Sequence, residues 1–394
     1  MVSRIGGGIE GTTERSLRAW MGEDDPRVQA ARAAARRAVV SPTPRELLDA
    51  RPRLDALLRG DDVRFLVPMF EPEDPVGRVP LGTLEYLLDE LGVDPAHILL
   101  LDQGSAPGPC ARARATGVRI VDTDAAARAL PSSFLAAHGL EVAHRGKGLN
   151  LFLGAAMLVP ERPRWVVLAD ADLRAPTRWD FARTLAFPLL EGAPRMVVGA
   201  HVGRNNDAVF ALRVALEALE AAPLSDAARA RVAALGPGLR RQVHMLAGER
   251  IVAFDQLTAT PLATGYGAEA CLTVAALERP SLPILQVADP RPRQDIPNGP
   301  SLAALIRNEQ RMMNCIARLL LFLVTRELPL IGWARADVRA ANAALGAMLP
   351  GVALLPESAG PVEVVGTPPE RLLPPVRTLD ANVLAAIHAA GEGA

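Results

Sequence analysis

Lysine is almost absent from this 394-residue chain. Of its 43 basic side chains one is a lysine, Lys147, and the other 42 are arginines. A compact ammonium group on a flexible stem can enter a tight phosphate or carboxylate pocket that a planar guanidinium cannot enter. The one exception in an arginine-rich sequence is therefore either a residue with a chemical role or a chance survivor of a coding bias.

Cysteine, excess charge and long apolar runs are scarce as well. Three widely spaced cysteines, Cys110, Cys271 and Cys315, fit neither a disulfide framework nor a thiolate metal site, which favours a reducing, cytoplasmic location. A formal net charge of −1 argues against a protein that binds nucleic acid through a broad basic surface. No secretory signal opens the sequence, and its longest apolar stretch, residues 319–325, falls far short of the roughly 20 residues of a membrane span.

The order of the hydrophobic patterns predicts an α/β fold. From residue 63 onwards, short runs that are apolar throughout alternate with segments of helical spacing, as in parallel strands covered on both faces. We therefore expect a doubly wound, mainly parallel sheet. The expected strands lie at residues 63–67, 97–101, 117–121, 165–169, 196–199 and 284–287, and the expected helices include residues 81–91, 147–159, 208–221, 302–323 and 336–349.

The expected domain organisation has three parts. Residues 1–60 form a helical N-terminal extension, in which Thr43 and Glu46 have the spacing of a capping box. Residues 61–330 form the α/β domain, and residues 331–394 form a C-terminal helix with a proline-rich tail.

Charged groups follow two expected strands and open one expected helix. Ligands of open parallel sheets bind beyond the carboxyl ends of the strands. Asp170 and Asp172 follow the most apolar strand, and two carboxylates at this spacing can hold a ribose and a divalent cation, although a solvated turn has the same pattern. Asp102 suits a hydroxyl or base contact, or an ordinary turn. Lys147 lies between two glycines at a helix start, where the helix end and the ammonium would both favour an anion.

Six short motifs occur in an order and spacing that resemble those of a known family. Residues 67–70 (VPMF), 102–105 (DQGS), 146–148 (GKG) and 170–173 (DADL) resemble the motifs of GT-A fold glycosyltransferases, which use nucleotide sugars. Residues 246–249 (LAGE) and 264–269 (TGYGAE) are similar to the acceptor- and sugar-binding half of the retaining synthases that make mannosyl-3-phosphoglycerate or glucosyl-3-phosphoglycerate. The resemblance covers about residues 63–315 and implies the GT-A type of sheet.

The resemblance implies a role for each matching residue. Asp172, Glu249 and Lys147 would be catalytic, and Asp172 with Asp170 would bind Mg²⁺ or Mn²⁺. For Glu249 and Glu269 the simpler interpretation is a carboxylate at a helix start. The implied donor-binding residues are Pro68, Glu71, Asp102, Ser105, Lys147, Asp170, Gly248 and Glu249, and the implied acceptor-binding residues are Tyr266, Gly267, Glu269, Arg291 and Arg293.

Two positions depart from the pattern of the family. Arg293 stands where these synthases have a histidine metal ligand, and a guanidinium stays protonated and cannot ligate a cation. Asp289 or Asp295 could serve instead, guanidinium charge could replace the metal, or catalysis could have been lost. Glu71 opens a segment in which the family usually has asparagine and glutamate.

The sequence thus predicts a retaining hexosyltransferase that uses GDP-mannose or UDP-glucose and a small acceptor such as 3-phosphoglycerate or a glycerate-like molecule. Its main chemical demand is stabilisation of the diphosphate leaving group, which a metal, Lys147, or Arg291 and Arg293 could supply. One alternative is a nucleotidyltransferase acting on a sugar phosphate, although residues 68–75 lack the glycine-rich loop of that class. The other is a non-catalytic sugar-nucleotide-binding paralogue. The apolar segment 302–323 could serve as the interface of a homodimer.

Overall fold

The computed structural model contains a large β-sheet and a set of helices. The described residues are 39–40, 42–69, 82–140, 146–171, 180–192, 194–201, 224–242, 247–265, 267–279, 284–289, 319, 323 and 371–391. The chain divides into two compact units, one of residues 39–202, 246–296 and 370–394, and the other of residues 1–38, 203–245 and 297–369. The sheet lies in the first of these units.

The sheet is mixed and mostly parallel. Eight strands lie in the order β1-β9-β6-β7-β5-β2-β3-β4, and a separate antiparallel pair joins β10 to β8. Within the large sheet β7 runs antiparallel to both of its neighbours, and all other neighbours are parallel. The predicted α/β fold with a mainly parallel sheet is confirmed. The strands are β1 (Val39–Val40), β2 (Val63–Met69), β3 (Ile98–Asp102), β4 (Arg119–Asp122), β5 (Trp165–Leu168), β6 (Met196–His201), β7 (Arg250–Ala253), β8 (Leu262–Ala263), β9 (Ile284–Asp289) and β10 (Leu372–Leu373).

The helices have the following bounds. They are α1 (Pro44–Leu58), α2 (Gly82–Glu85), α3 (Pro107–Ala115), α4 (Thr123–Arg128), α5 (Ser132–His138), α6 (Lys147–Met157), α7 (Phe181–Ala186), α8 (Asp226–Arg240), α9 (Phe254–Ala259), α10 (Ala268–Leu277) and α11 (Ala381–Gly391). A π-helical turn, Tyr86–Glu90, continues α2, and short 3₁₀ turns cover Pro95–His97, Phe187–Leu190 and Val376–Thr378. Within the described residues, no helix combines the length and apolar character that a bilayer crossing requires.

The apolar runs explain why β2, β3 and β5 lie inside the sheet. All five residues of β3 and all four of β5 are buried, so both faces of these strands are covered. Helix α6 packs beside them and buries ten of its eleven residues, from Gly148 to Met157. A helix that is apolar all round belongs in the interior of a protein. Lys147, the first residue of α6, is therefore held at the end of a rigid, buried element.

Helix α1 begins as its sequence predicts. Thr43 and Glu46 form a reciprocal capping box, with the Glu46 amide donating to the Thr43 hydroxyl and the Thr43 amide donating to the Glu46 carboxylate, 2.7 Å away. Leu54 and Leu58 of this helix are fully buried, and α1 lies in the same compact unit as the sheet. The division into residues 1–60, 61–330 and 331–394 stays a prediction.

Several elements of the structure were not predicted from the sequence, and some of the predicted elements lie outside the described residues. No strand was predicted at β1, β7, β8 or β10, and no helix was predicted at α3, α4, α5, α7, α8, α9 or α11. The expected helices 208–221 and 336–349 lie outside the described residues. Of the segment 302–323, proposed as a dimer interface, only Leu319 and Leu323 are described, so that interface is untested.

Candidate functional site

The candidate site lies where β5 ends and β7 begins. Leu168 of β5 pairs with Arg250 of β7, and the two strands are antiparallel. The residues that follow β5 and those that precede β7 are therefore at the same edge of the sheet. Asp170 comes from the first segment, and Gly248 and Glu249 come from the second.

Lys147 binds two carboxylates at this edge. Its Nζ atom lies 2.6 Å from Oδ1 of Asp170 and 2.8 Å from Oε1 of Glu269. Burial by itself lowers the pKa of Lys147, but the charges and hydrogen bonds of Asp170 and Glu269 outweigh this effect and hold the pKa well above its ordinary value. The ammonium is therefore fully protonated at neutral pH, and the single lysine is an ion-paired residue of a charged cluster.

Two glycines allow the start of α6 to pack against the turn at Thr264 and Gly265. Gly146 has φ +152°, and a Cβ atom there would lie 3.1 Å from the Gly265 Cα atom. A Cβ atom on Gly148 would overlap the Ala263 carbonyl group. The glycines of the GKG motif thus allow the backbone at the start of α6 to pack closely against the backbone of residues 263–265.

The same contact occupies two of the amides at the start of α6, the helix end that the sequence analysis expected to favour an anion. The Gly148 amide donates to the Gly265 carbonyl at 3.1 Å, and the Leu149 amide donates to the Thr264 carbonyl at 2.9 Å. These are two of the amide groups that a helix would otherwise present to a ligand. Because protein carbonyls already satisfy them, the helix end does not offer them to a phosphate.

Gly248 brings a third segment against the Lys147–Asp170 pair. A Cβ atom at this position would lie 2.8 Å from both the Asp170 Cγ atom and the Lys147 Nζ atom. Real Cβ atoms do not approach other heavy atoms so closely. Glycine is therefore the residue that fits between the backbone at 247–249 and the ion pair.

Glu249 and Arg250, next along the chain, are fully buried. The Arg250 guanidinium donates to the Ala247 carbonyl through Nε at 3.0 Å and through Nη2 at 2.5 Å, and to the Glu269 carbonyl through Nη1 at 3.2 Å. Burial lowers the pKa of Arg250 to about 10, although the charges of Glu269, Glu249 and Asp170 act in the opposite direction. Arg250 was not predicted as a site residue. The feature of the sequence that could have indicated it is its position directly after the LAGE motif.

The cluster has an excess of negative charge. We define the charged cluster as Lys147, Asp170, Glu249, Arg250 and Glu269, which are linked by the ion pairs of Lys147 and the electrostatic interactions of Arg250. Counted in their ordinary ionised forms, three carboxylates face two cations. Such a group accepts hydrogen bonds from hydroxyl groups or attracts a cation more readily than it binds a free anion.

Asp102 and Pro68 lie farther along the same sheet edge. Pro68 pairs with Leu101, and its carbonyl accepts a hydrogen bond from the Ala171 amide at 3.4 Å. The Asp102 Oδ1 atom accepts from the Ser105 amide at 3.0 Å, and the Cys110 thiol donates to Oδ2 at 3.5 Å. Burial raises the pKa of Cys110, and the charge of Asp102 raises it further, so Cys110 stays a neutral donor. Asp102 therefore closes a turn, which is one of the two roles expected for it.

Several predicted site residues cannot be placed in this geometry. Asp172, Glu71, Tyr266, Arg291 and Arg293 lie outside the described residues, as does Asp295, one of the two expected replacements for the histidine ligand. Gly267 precedes α10, and Glu269 lies in its first turn, as the simpler interpretation expects, while also binding Lys147. The structure thus brings together Lys147, Asp170, Gly248, Glu249 and Glu269.

No metal centre is formed by the described residues alone. They contain no group of three or more histidine, cysteine, aspartate or glutamate side chains arranged to hold an ion. Asp170 is one expected ligand, and its Oδ1 atom is bound to Lys147. The other expected ligand, Asp172, is outside the described part of the chain.

Comparison with known proteins supports the resemblance seen in the motifs. No protein-family model matches the chain. The chain is 32% identical over 227 residues to a glucosyl-3-phosphoglycerate synthase of Mycolicibacterium paratuberculosis, a match that covers 57% of this chain and 63% of that protein. It is 29% identical over 237 residues to the enzyme of the same name from Mycolicibacterium smegmatis, covering 67% of that protein. The chain thus spans less than two thirds of the length of the first of these relatives.

A solved structure has the same fold. The crystal structure of glucosyl-3-phosphoglycerate synthase from Mycobacterium tuberculosis in complex with Mg²⁺ and UDP has a TM-score of 0.50 and 24% sequence identity, and the match covers 69% of this chain and 83% of that one. The sequence similarity agrees with the order of the motifs, and the structural similarity agrees with the sheet. The chain is therefore similar in sequence to two glucosyl-3-phosphoglycerate synthases and shares the fold of a solved one.

Proposed function

We propose that this protein transfers glucose from a nucleotide sugar to 3-phosphoglycerate or a similar small acceptor. The observation that carries the proposal is the contact of Lys147 with Asp170 and Glu269 at the sheet edge. The motifs that supply these residues are the ones that resemble the synthases, and both curated relatives are named as glucosyl-3-phosphoglycerate synthases.

The charged cluster suits the sugar part of such a donor. Glu249 and Glu269 are deeply buried, with Glu269 in contact with the ammonium of Lys147. Carboxylates in this setting accept hydrogen bonds from hydroxyl groups strongly, because little water competes for them. We assign Glu249 and Glu269 to sugar or acceptor hydroxyls, and we assign Gly267 and Tyr266 to the acceptor as the motifs imply.

Lys147 has a second role in this proposal, besides direct contact with the donor. An ammonium bound to two carboxylates fixes the distance between the donor-side Asp170 and the acceptor-side Glu269. Fixed geometry of this kind lowers the barrier by holding the reactants close to their reactive arrangement. Pro68, Asp102, Ser105 and Gly248 line the same edge, and we assign Glu71, Arg291 and Arg293 to the donor and acceptor as the motifs imply.

The proposed reaction needs no side-chain nucleophile. The bond between the anomeric carbon and the diphosphate oxygen breaks, and an acceptor hydroxyl oxygen bonds to the same face of that carbon. The acceptor proton passes to the departing phosphate oxygen, so that the products are a nucleoside diphosphate and a glycosylated acceptor. The protein's contribution is to position the two substrates and to stabilise the negative charge that develops on the leaving group.

Metal dependence is a separate part of the proposal. Asp172, with Asp170, would hold Mg²⁺ or Mn²⁺, and such an ion stabilises a diphosphate leaving group when it is bound. The described residues do not by themselves make such a site, and the Oδ1 atom of Asp170 is already ion-paired with Lys147. Chelation with EDTA followed by addition of Mg²⁺ tests this part: we expect transfer to stop and then to return.

The decisive experiment is a transfer assay on the purified chain. The protein is incubated with 3-phosphoglycerate and either UDP-glucose or GDP-mannose, and the products are identified by mass spectrometry. UDP-glucose is the first donor, because the solved structure that shares the fold is a UDP complex. We expect equal amounts of UDP and a hexosyl-phosphoglycerate.

Two other outcomes would contradict the proposal. Formation of pyrophosphate from a nucleoside triphosphate and a sugar phosphate would indicate a nucleotidyltransferase. Donor binding without turnover would indicate a non-catalytic paralogue. Glu269→Gln is expected to lower the rate of transfer, whereas Asp255→Asn, which changes a carboxylate 75% exposed on α9, should leave the rate unchanged.

A further inference from the structure

We infer that Arg250 is a positioning residue, which holds the segments carrying Gly248, Glu249 and Glu269 in register with the Lys147–Asp170 pair. The expected effect on catalysis rests on the proposed function. The structural role of Arg250 rests on the geometry of the described residues. Nothing in the motifs assigns a role to this residue.

Arg250 joins two segments that are not adjacent in sequence. Its Nε and Nη2 atoms both donate to the carbonyl of Ala247, the residue before Gly248. Its Nη1 atom donates to the carbonyl of Glu269 at 3.2 Å and lies 3.7 Å from the sulfur of Met196. The guanidinium of Arg250 therefore connects the segment before β7 to the first turn of α10.

A guanidinium is the group that can make this connection. It presents its donors in a rigid, planar fork, so that bonds to one segment fix the direction of the bonds to the other. An ammonium has three donors around one atom and cannot span two carbonyls in the same way. Arg250 is also fully buried, where a charge is costly and where a well-packed apolar side chain would often be as stable or more so. The arginine is therefore better explained by its connection of the two backbone segments than by a contribution to the stability of the fold.

Loss of this connection would act on the site through Glu269. The backbone of Glu269 is held by Arg250, and its side chain is held by Lys147, 2.8 Å away. If the first turn of α10 shifts, that ion pair lengthens, and the Gly248 backbone moves away from Asp170. A displacement of about 1 Å in a catalytic arrangement can lower a rate roughly 100-fold.

The single lysine makes the structural part directly measurable. Labelling with ¹⁵N-lysine gives one side-chain ammonium signal, that of Lys147, and its chemical shift and hydrogen exchange at one fixed pH report on its two carboxylate contacts. The variants are Arg250→Lys, which keeps the charge, and Arg250→Met, which keeps much of the volume. Arg183→Met is the matched control, because Arg183 is also buried and ion-paired, to Asp55 and Asp180.

We expect both Arg250 variants to shift the Lys147 signal and to speed its hydrogen exchange, whereas Arg183→Met lowers the melting temperature and leaves the signal in place. In the transfer assay, Arg250→Lys should lower kcat by about 100-fold with little change in the KM for the donor. An unchanged Lys147 signal and an unchanged kcat in a folded Arg250→Lys variant would overturn the inference. If the wild-type protein makes no transfer product, the proposed function fails, and the Lys147 signal still decides the role of Arg250.

Discussion

At the scale of single residues, the site is organised around Lys147. This lysine could be singled out from the sequence, because it is the exception in a chain of arginines and lies between two glycines. Its partners could only be guessed, since Glu269 lies far away along the chain and reaches Lys147 through the packing of α10. That the start of α6 favours an anion stays a prediction, although the turn at Thr264 and Gly265 already occupies the amides of Gly148 and Leu149.

Replacing Lys147 by methionine should destabilise the protein through the carboxylates left behind. Removing one partner of a buried ion pair typically costs about 3–5 kcal/mol, and the partial exposure of Asp170 places the expected loss near the lower end. Urea unfolding measures the loss. In the double variant Lys147→Met/Glu269→Leu, the cost should be clearly less than the sum of the two single costs. Additive costs would contradict the contact between the two side chains.

Gly248 offers a steric test of the same arrangement. Gly248→Ala places a methyl group against the Lys147 ammonium and the Asp170 carboxylate, so we expect a loss of about 1–3 kcal/mol in the free energy of unfolding and a lower rate of transfer. Gly108→Ala is the control, because a Cβ atom there meets no other atom within 4 Å and α3 gains a better helix former. Equal effects of the two substitutions would show that Gly248 is not constrained by the ion pair.

At the scale of helices and strands, the hydrophobic pattern predicted most of the sheet. Runs such as Ile98–Asp102 and Trp165–Leu168 are apolar enough to be recognised as buried strands from the sequence alone. β7 was missed because its apolar residues run directly into Phe254 of α9, with no polar or turn residue to mark the end of a strand. Its antiparallel direction could not be predicted either, since strand direction depends on the path of the chain between strands. That direction is what places Gly248 and Glu249 beside Asp170.

A pair of salt bridges links β2 and β4 through Glu161, and its contribution to stability should depend on pH. Glu161 binds Arg64 of β2 and Arg119 of β4, each at 2.5 Å. Burial tends to raise the pKa of Glu161, but the hydrogen bonds and charges of the two arginines outweigh it, so the pKa is lowered. A lowered pKa in the folded state means that the stabilisation is present above the unfolded-state pKa and is lost as the pH falls through the folded-state pKa.

We therefore expect Glu161→Gln to lower the free energy of unfolding at pH 7 by about 0.5–1 kcal/mol, a small value because solvent screens the partly exposed group. The difference from wild type should shrink as the pH is lowered below about 4 and should vanish once Glu161 is protonated in both states. Urea unfolding at a series of pH values measures this difference. A difference that stays constant down to pH 3 would rule out the carboxylate charge as its source.

At the scale of the whole molecule, the site depends on segments that are distant in sequence. The C-terminal residues 371–391 contribute to it indirectly, because β10 pairs with β8, and the Thr264 amide donates to the Arg371 carbonyl at 2.9 Å. Thr264 in turn accepts the bond that fixes the start of α6. The sequence predicted a C-terminal helix and a proline-rich tail over residues 331–394. It gave no sign of the pairing with β8, because these contacts join chain segments more than 100 residues apart.

Removal of residues 370–394 should therefore affect both stability and the site. The deletion exposes the edge of β8 and removes the buried side chains Leu373, Val376, Val383 and Ile387. We expect a lower melting temperature and faster exchange of the Lys147 ammonium, whereas deletion of residues 392–394 alone should change neither. A deletion variant with wild-type melting would contradict the supporting role of this segment.

The most direct test of the central claim follows the Lys147 ammonium signal during addition of a donor. The ¹⁵N-lysine-labelled protein is titrated with UDP-glucose, and separately with GDP-mannose, in the presence of Mg²⁺. If the charged cluster is the donor site, the signal shifts in a saturable manner with one of the two donors, and Asp255→Asn shows the same shift. A signal that stays unchanged at saturating concentrations of both donors would contradict the assignment of this cluster to hexosyl transfer.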